Sequence, residues 1–227
     1  MYDKAFMGGI QSGEKKPAVW KIIILCAVSG ILNATISYFV NGLGHIPLYL
    51  DTLFTVAMCF SAGLLPGIFT ALLLPLLTTF KYTYLLGLPA ETAWWIYLFV
   101  LCVFCEVVLV FSFRKRIMPL DAAFRKTSSL YAFIGLAPLL LVIVALDCLV
   151  VSVSGGIIDF VLTLLSSPKA FFPEDTFKLG LLRNNVPVLA SAVLSRIPIN
   201  IVDRFIVIFG GYAVSLLYRK WLNAPSR

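Results

Sequence analysis

The sequence predicts an all-α integral membrane protein, a bundle of six transmembrane helices with both termini in the cytoplasm. Three observations point there. Of the 227 residues, 60% are hydrophobic and only 13% charged, where a soluble domain carries about a quarter charged residues. The apolar residues come in long runs broken by Gly and Pro. The cations gather on alternate connections between those runs, and this asymmetry sets orientation. So little charge cannot cover a globule with polar surface. A cytosolic enzyme, a disordered chain and a DNA-binding domain are excluded, and one domain is expected over 1–227.

A helix that crosses the hydrocarbon core needs about 20 apolar residues. Residues 1–17 are polar and read as a cytoplasmic segment. The run after Lys21 is too long for a signal peptide and no small-residue cleavage site follows it, so no cleavable signal is expected. The first span covers 18–40 and is broken by Gly42, Gly44 and Pro47. The second covers 48–64 and closes at the turn signal Pro66-Gly67. A third, short and interrupted by Pro75, covers 68–84; the fourth, after Pro89, covers 92–113. The fifth covers 130–152 and ends at Gly155-Gly156.

A long outer connection is expected over 153–196, broken at Phe171-Phe172-Pro173. Glu174 and Asp175 ahead of Lys178 signal a short amphipathic helix within it. Connections this long often serve as lids. The sixth span ends at Tyr218, before Arg219 and Lys220. Its start is ambiguous from Val186 onward, and Pro198 suits either a first helical turn or a kink.

The charges follow this layout. The N-terminal segment holds Lys4, Lys15, Lys16 and Lys21; the connection after span four holds Arg114, Lys115, Arg116, Arg125 and Lys126; the tail holds Arg219, Lys220 and Arg227. Twelve of the eighteen cations therefore fall on one side, against Lys81, Lys169, Lys178, Arg183 and Arg196 on the other. The positive-inside rule puts the rich side, with both termini, in the cytoplasm of a bacterial cell membrane. The net charge of +7 is then a topology signal and a contact for anionic headgroups. Trp94, Trp95 and Tyr97, with Tyr218 and Trp221, read as interfacial belts.

Cys26, Cys59, Cys102, Cys105 and Cys148 all lie in apolar runs and read as packing residues. Cys102 and Cys105 make a C-x-x-C without a second pair to complete a metal site. The sequon at Asn33-Ala34-Thr35 lies mid-span and is a chance match. His45 is the single histidine, and no H-E-x-x-H, G-x-S-x-G or Walker sequence is present. No catalytic residue, cofactor or metal is expected, and active transport would have to borrow its energy.

Ionisable groups inside apolar spans are expensive, so each is a functional candidate. These are Asp51, Glu106, Asp147, Asp203 and Arg204, with Asn33 and Asn200 as polar companions. By position in their spans six of the seven share the outer half, and Glu106 alone is placed deeper, roughly 20 Å from the outer end of its helix. Arg196, Asn200, Asp203 and Arg204 are spaced to share one helical face. A buried ion network, for example Arg204 with Asp51 or Asp147, and an outward-open polar cup for a small ligand both fit that face. Asp51, Asn200, Asp203 and Arg204 are the expected ligand residues, with Asn33 and Asp147 next and Trp94 and Trp95 as aromatic walls. On span one, Ala27, Gly30 and Ala34 make a small-residue stripe, and Gly63-x-x-x-Gly67 makes another; such stripes either pack within a bundle or dock a partner.

At Ile46-Pro47-Leu48-Tyr49-Leu50-Asp51-Thr52-Leu53, followed by Gly63-Leu64-Leu65-Pro66-Gly67, the chain resembles the substrate-binding (S) components of energy-coupling factor transporters. The stretch from Arg196 through Pro198 and Asn200 to Asp203 resembles that family's final helix. The resemblance implies six helices, inward termini and a binding protein for a small water-soluble vitamin such as riboflavin. It also implies partners: a transmembrane T subunit, docked on the Ala27, Gly30 and Ala34 stripe, and two ATPases. A similar Pro-Leu-Tyr-Leu-Asp entry occurs in the membrane input domains of bacterial sensor kinases, so a receptor for a small ligand is the alternative. With no output domain after Arg227, transport is the expectation.

Overall fold

The computed structural model describes residues 17–43, 48–80, 96–127, 130–165 and 175–224. The segments 1–16, 44–47, 81–95, 128–129, 166–174 and 225–227 lie outside them. With them go Trp94 and Trp95, His45, Lys169, Glu174 and the Phe171-Phe172-Pro173 break. The described chain is all helix: α1 (Val19–Ser37), continued by a π turn at Tyr38–Leu43, then α2 (Leu53–Ser61), α3 (Leu64–Phe80), α4 (Phe99–Thr127), α5 (Leu130–Leu164), α6 (Asp175–Arg183), α7 (Val188–Leu194) and α8 (Ile197–Leu222).

Among the described residues, four stretches are long and apolar enough to cross a membrane: Val19–Val40, Ile96–Ala122, Ile134–Leu164 and Val188–Leu222, the last running through α7 and α8. Leu64–Phe80 is a shorter apolar helix. Large apolar side chains face outward along these helices, among them Ile24 and Ile31 on α1, Phe69 and Leu76 on α3, and Phe205 on α8. A soluble protein does not expose apolar surface on this scale. The architecture is that of a membrane helical bundle.

The directions of the helices follow from their contacts. At one end of α2, Thr52 meets Glu106 of α4 and Arg204 of α8. At its other end, the carbonyl of Phe60 accepts from Arg114 and Arg219, further along the same two helices. So α2, α4 and α8 run parallel. Opposed to them is α1, whose Asn33 meets Thr55 while its Ser29 meets Tyr218 and its Lys21 meets Ala224. α3 runs with α1, since Cys26 reaches Pro66 and Gly30 reaches Leu73. α5 opposes α8: Asp147 lies by Arg204, Ser152 by Asn200 and Gly155 by Arg196.

α2 is the hub. It has only nine residues, of which Thr55 through Ser61 are buried, and it packs on α1, α3, α4 and α8. A helix apolar on every side is a helix surrounded by protein. At about 13 Å it is too short to cross a bilayer. Thr52 at its N-cap gives no side-chain cap; instead Asn33 reaches over from α1. Its Oδ1 accepts the Phe54 N–H at 2.9 Å and its Nδ2 donates to Thr55 Oγ1 at 2.9 Å. One orphan donor of the helix start is thereby met from a neighbouring helix.

Several expected boundaries move. The second span, expected over 48–64, is helical only from Leu53, because Leu50 takes a left-handed conformation (φ 46°) ahead of a turn at Asp51 and Thr52. The reversal after it lies at Ala62-Gly63 and not at Pro66-Gly67. Gly63 has φ +110°, open to glycine at little cost, and Pro66 sits in the first turn of α3, where its missing N–H is harmless. The cationic connection over 114–126 is not a loop, since α4 continues through Pro119 to Thr127.

The fifth span does not stop at Gly155-Gly156. α5 continues to Leu164, and the glycines let α7 and Arg196 approach: a Cβ on Gly156 would lie 2.8 Å from the Val193 Cα. The outer connection expected over 153–196 is therefore mostly helix. The amphipathic helix within it is α6, fixed to α5 by Lys178 and Asp159 at 2.5 Å. Pro198 takes the first turn of α8 behind a break at Ser195 and Arg196.

Candidate functional site

On α8 every third or fourth residue is buried, and Arg196, Asn200, Asp203 and Arg204 all lie on that face, as their spacing predicts. Asp203 and Arg204 are adjacent and turn to different tasks. The Asp203 Oδ1 accepts the backbone N–H groups of Tyr49 and Leu50 at 2.8 and 2.9 Å, tying the irregular entry of α2 to α8. Its Oδ2 accepts from Arg204 Nε at 3.0 Å and from Nη2. Asp203 is thus an anchor with every acceptor occupied.

Arg204 gathers the remaining acids. Its Nη1 lies 2.9 Å from Glu106 Oε1 on α4 and donates to Thr52 Oγ1 at 3.0 Å, and Thr52 in turn donates to Glu106 Oε1 at 2.9 Å. Asp147 Oδ2 on α5 stands 3.8 Å from Nη1, and Asp51 Oδ1 stands 3.8 Å from Nη2. Four carboxylates from four segments therefore face one guanidinium. Glu106 and Asp147 are fully buried, whereas the Asp51 side chain is 29% exposed and marks the side from which the cluster meets its surroundings.

The set is unbalanced in two ways. It carries four acids to one base, a surplus that either protons on the carboxyls or positive charge from outside the set would offset. It also leaves acceptors bare: Glu106 Oε2 and both oxygens of Asp147 are buried without a hydrogen bond. Buried polar atoms are nearly always paired. Three such oxygens around one arginine go beyond what a self-contained ion network would leave.

Not all the expected residues meet here. Asp51, Asp147, Asp203 and Arg204 do. Asn200 donates instead to Ser152 Oγ at 2.9 Å, holding α8 to α5, and Asn33 caps α2. Trp94 and Trp95 lie outside the described residues. Glu106, expected to stand apart at depth, is in the centre. The carboxylate lies about 10 Å along α4 from its first residue, Phe99, level with Thr52 and Arg204. Thr52, which bridges Arg204 and Glu106, has no sequence signal beyond its place beside Asp51.

A second buried charge set stands at the opposite end of α2. Asp121 accepts the Tyr212 hydroxyl at 2.6 Å and pairs with Arg219. Arg219 Nη2 and Arg114 Nε donate to the Phe60 carbonyl at 2.7 and 3.2 Å, and Arg114 Nη2 donates to that of Ser61 at 3.2 Å. These arginines satisfy the last carbonyls of α2, where a cation also meets the negative end of the helix dipole. Each of these guanidiniums has acceptors, so this set reads as a clamp.

The small-residue stripe of α1 faces two ways. Gly30 is buried against α3, where a Cβ would come within 2.8 Å of the Leu73 Cβ; Ala34 is half-buried and Ala27 is exposed. Among the described residues no group of His, Cys, Asp or Glu is arranged to hold a metal ion. Cys102 is buried and Cys105 exposed, and both thiols are free. Comparison with family models, curated proteins and solved structures finds no match for the chain.

Proposed function

We propose that this chain is the membrane-embedded binding subunit of an uptake system for a small water-soluble vitamin. In this reading six helices span a bacterial cell membrane with both termini in the cytoplasm. The chain performs no catalysis and is energised, like the S component of an energy-coupling factor transporter, by a T subunit and two ATPases. One observation supports the reading above others: the buried cluster of Asp51, Glu106, Asp147 and Arg204, whose surplus acids and bare oxygens call for a further polar group. Ala27 is the member of the α1 stripe left facing outward for the T subunit.

The test is binding by purified protein in nanodiscs, screened against water-soluble vitamins by thermal shift and calorimetry. At least one vitamin should bind at micromolar concentration or tighter. Absence of binding across the whole panel would sink the proposal.

A further inference from the structure

The surplus of acid in the cluster bears on the ligand itself. Arg204 is already committed, its Nε and Nη2 to Asp203 and its Nη1 to Glu106 and Thr52. It therefore has little left to offer an anionic ligand. The groups with unused capacity are all acceptors: Glu106 Oε2, Asp147 Oδ1 and Asp147 Oδ2. Asp147 is fully buried and aimed at the cluster, with Oδ2 toward Arg204. A proton would neutralise one acid yet give the other bare oxygens no donor. A positively charged nitrogen group brings charge and N–H donors together, as many as three on a primary ammonium. A directly bound metal ion lacks a suitable set of ligands among the described residues.

We infer that Glu106 and Asp147 form the recognition site for a cationic, N–H-bearing group, so that the molecule taken up is positively charged. This rests on the reading of the chain as a binding subunit and narrows its substrate class. Asp51, at the exposed edge, is the first acid a cation meets, and charge-assisted hydrogen bonds to Asp147 and Glu106 hold it at the floor.

The experiment uses the full chain in nanodiscs at pH 7 and three arms of probes. The cationic arm is pyridoxamine, the neutral arm pyridoxine and riboflavin, the anionic arm biotin and pantothenate. Affinity is read by calorimetry. The tightest ligand should come from the cationic arm and exceed its neutral counterpart at least tenfold. Asp147→Asn should weaken that ligand at least tenfold without lowering Tm, because Asp147 makes no hydrogen bond for folding to lose.

Tighter binding of a neutral or anionic probe would overturn the inference while leaving the uptake reading in place. Binding by none of the five would overturn this inference, and the uptake reading falls with it only if the wider vitamin panel is also silent. Unchanged affinity in Asp147→Asn would likewise overturn the assignment of that residue. Glu106→Gln is the second variant, scored only in the folded fraction because Glu106 also supports Arg204.

Discussion

Arg204 and Asp203 are neighbours in sequence, yet substitutions at the two report different things. Arg204→Gln would leave Glu106 and Asp203 buried without their cation. Removing one partner of a buried charged set costs about 3–5 kcal/mol, so a large fall in Tm is expected. Asp203→Ala should also lower Tm, because two part-buried backbone donors, those of Tyr49 and Leu50, and the Arg204 guanidinium lose their acceptor. Asp147→Asn differs from both. It deletes a buried charge that accepts no hydrogen bond, and Tm should hold or rise. Thermal melts of the three purified variants check the ordering; an Arg204→Gln protein as stable as the parent would show that the guanidinium is not what balances these acids.

At the scale of elements, α2 shows why a nine-residue helix persists without a cap of its own. Asn33 meets the Phe54 N–H from α1, and Arg114 and Arg219 meet its last carbonyls from α4 and α8. Helices so short are marginal alone, so α2 is a product of its neighbours. The glycines show the same dependence. Gly30→Leu would drive side-chain atoms into Leu73 and should destabilise by about 1–3 kcal/mol through overpacking. Ala27→Leu, on the exposed side of the same helix, should leave Tm unchanged and reduce uptake in cells that carry the partner subunits. Paired melts and uptake assays separate the two. If Ala27→Leu transports normally, that part of α1 faces lipid only.

Across the whole molecule, the start of α1 and the end of α8 lie together. Lys21 donates to the Ala224 carbonyl and sits between Trp20 and Trp221, 5.8 and 5.6 Å from their rings. Arg114 and Arg219 stand at the same end, joined through the Phe60 carbonyl. In the proposed topology the positive-inside rule assigns that end to the cytoplasm. Reporter fusions at residue 16 and at residue 227 should therefore read as cytoplasmic, and a tag between residues 169 and 183 as external. A tail fusion that reads as external would overturn the proposed topology.

The sequence alone carried the helical membrane class, because apolar runs and segregated cations are local properties that lipid imposes on any spanning chain. It also carried the shared face of Arg196, Asn200, Asp203 and Arg204, since helical periodicity fixes which residues lie side by side. Which of the buried groups meet was a different matter. Glu106 joined the cluster because the packing of α4 sets it level with Thr52 at the head of α2 and Arg204 on α8. Asn33 and Asn200 left it because neighbouring helices offered them the Phe54 N–H and the Ser152 hydroxyl. Gly155-Gly156 reads as a helix end by propensity, but α7 lies against it, and packing outweighed about 1 kcal/mol per glycine. Period and composition act over a few turns of one helix, whereas a binding site is set by where different helices stop, start and touch. Those positions exist only once the bundle has assembled.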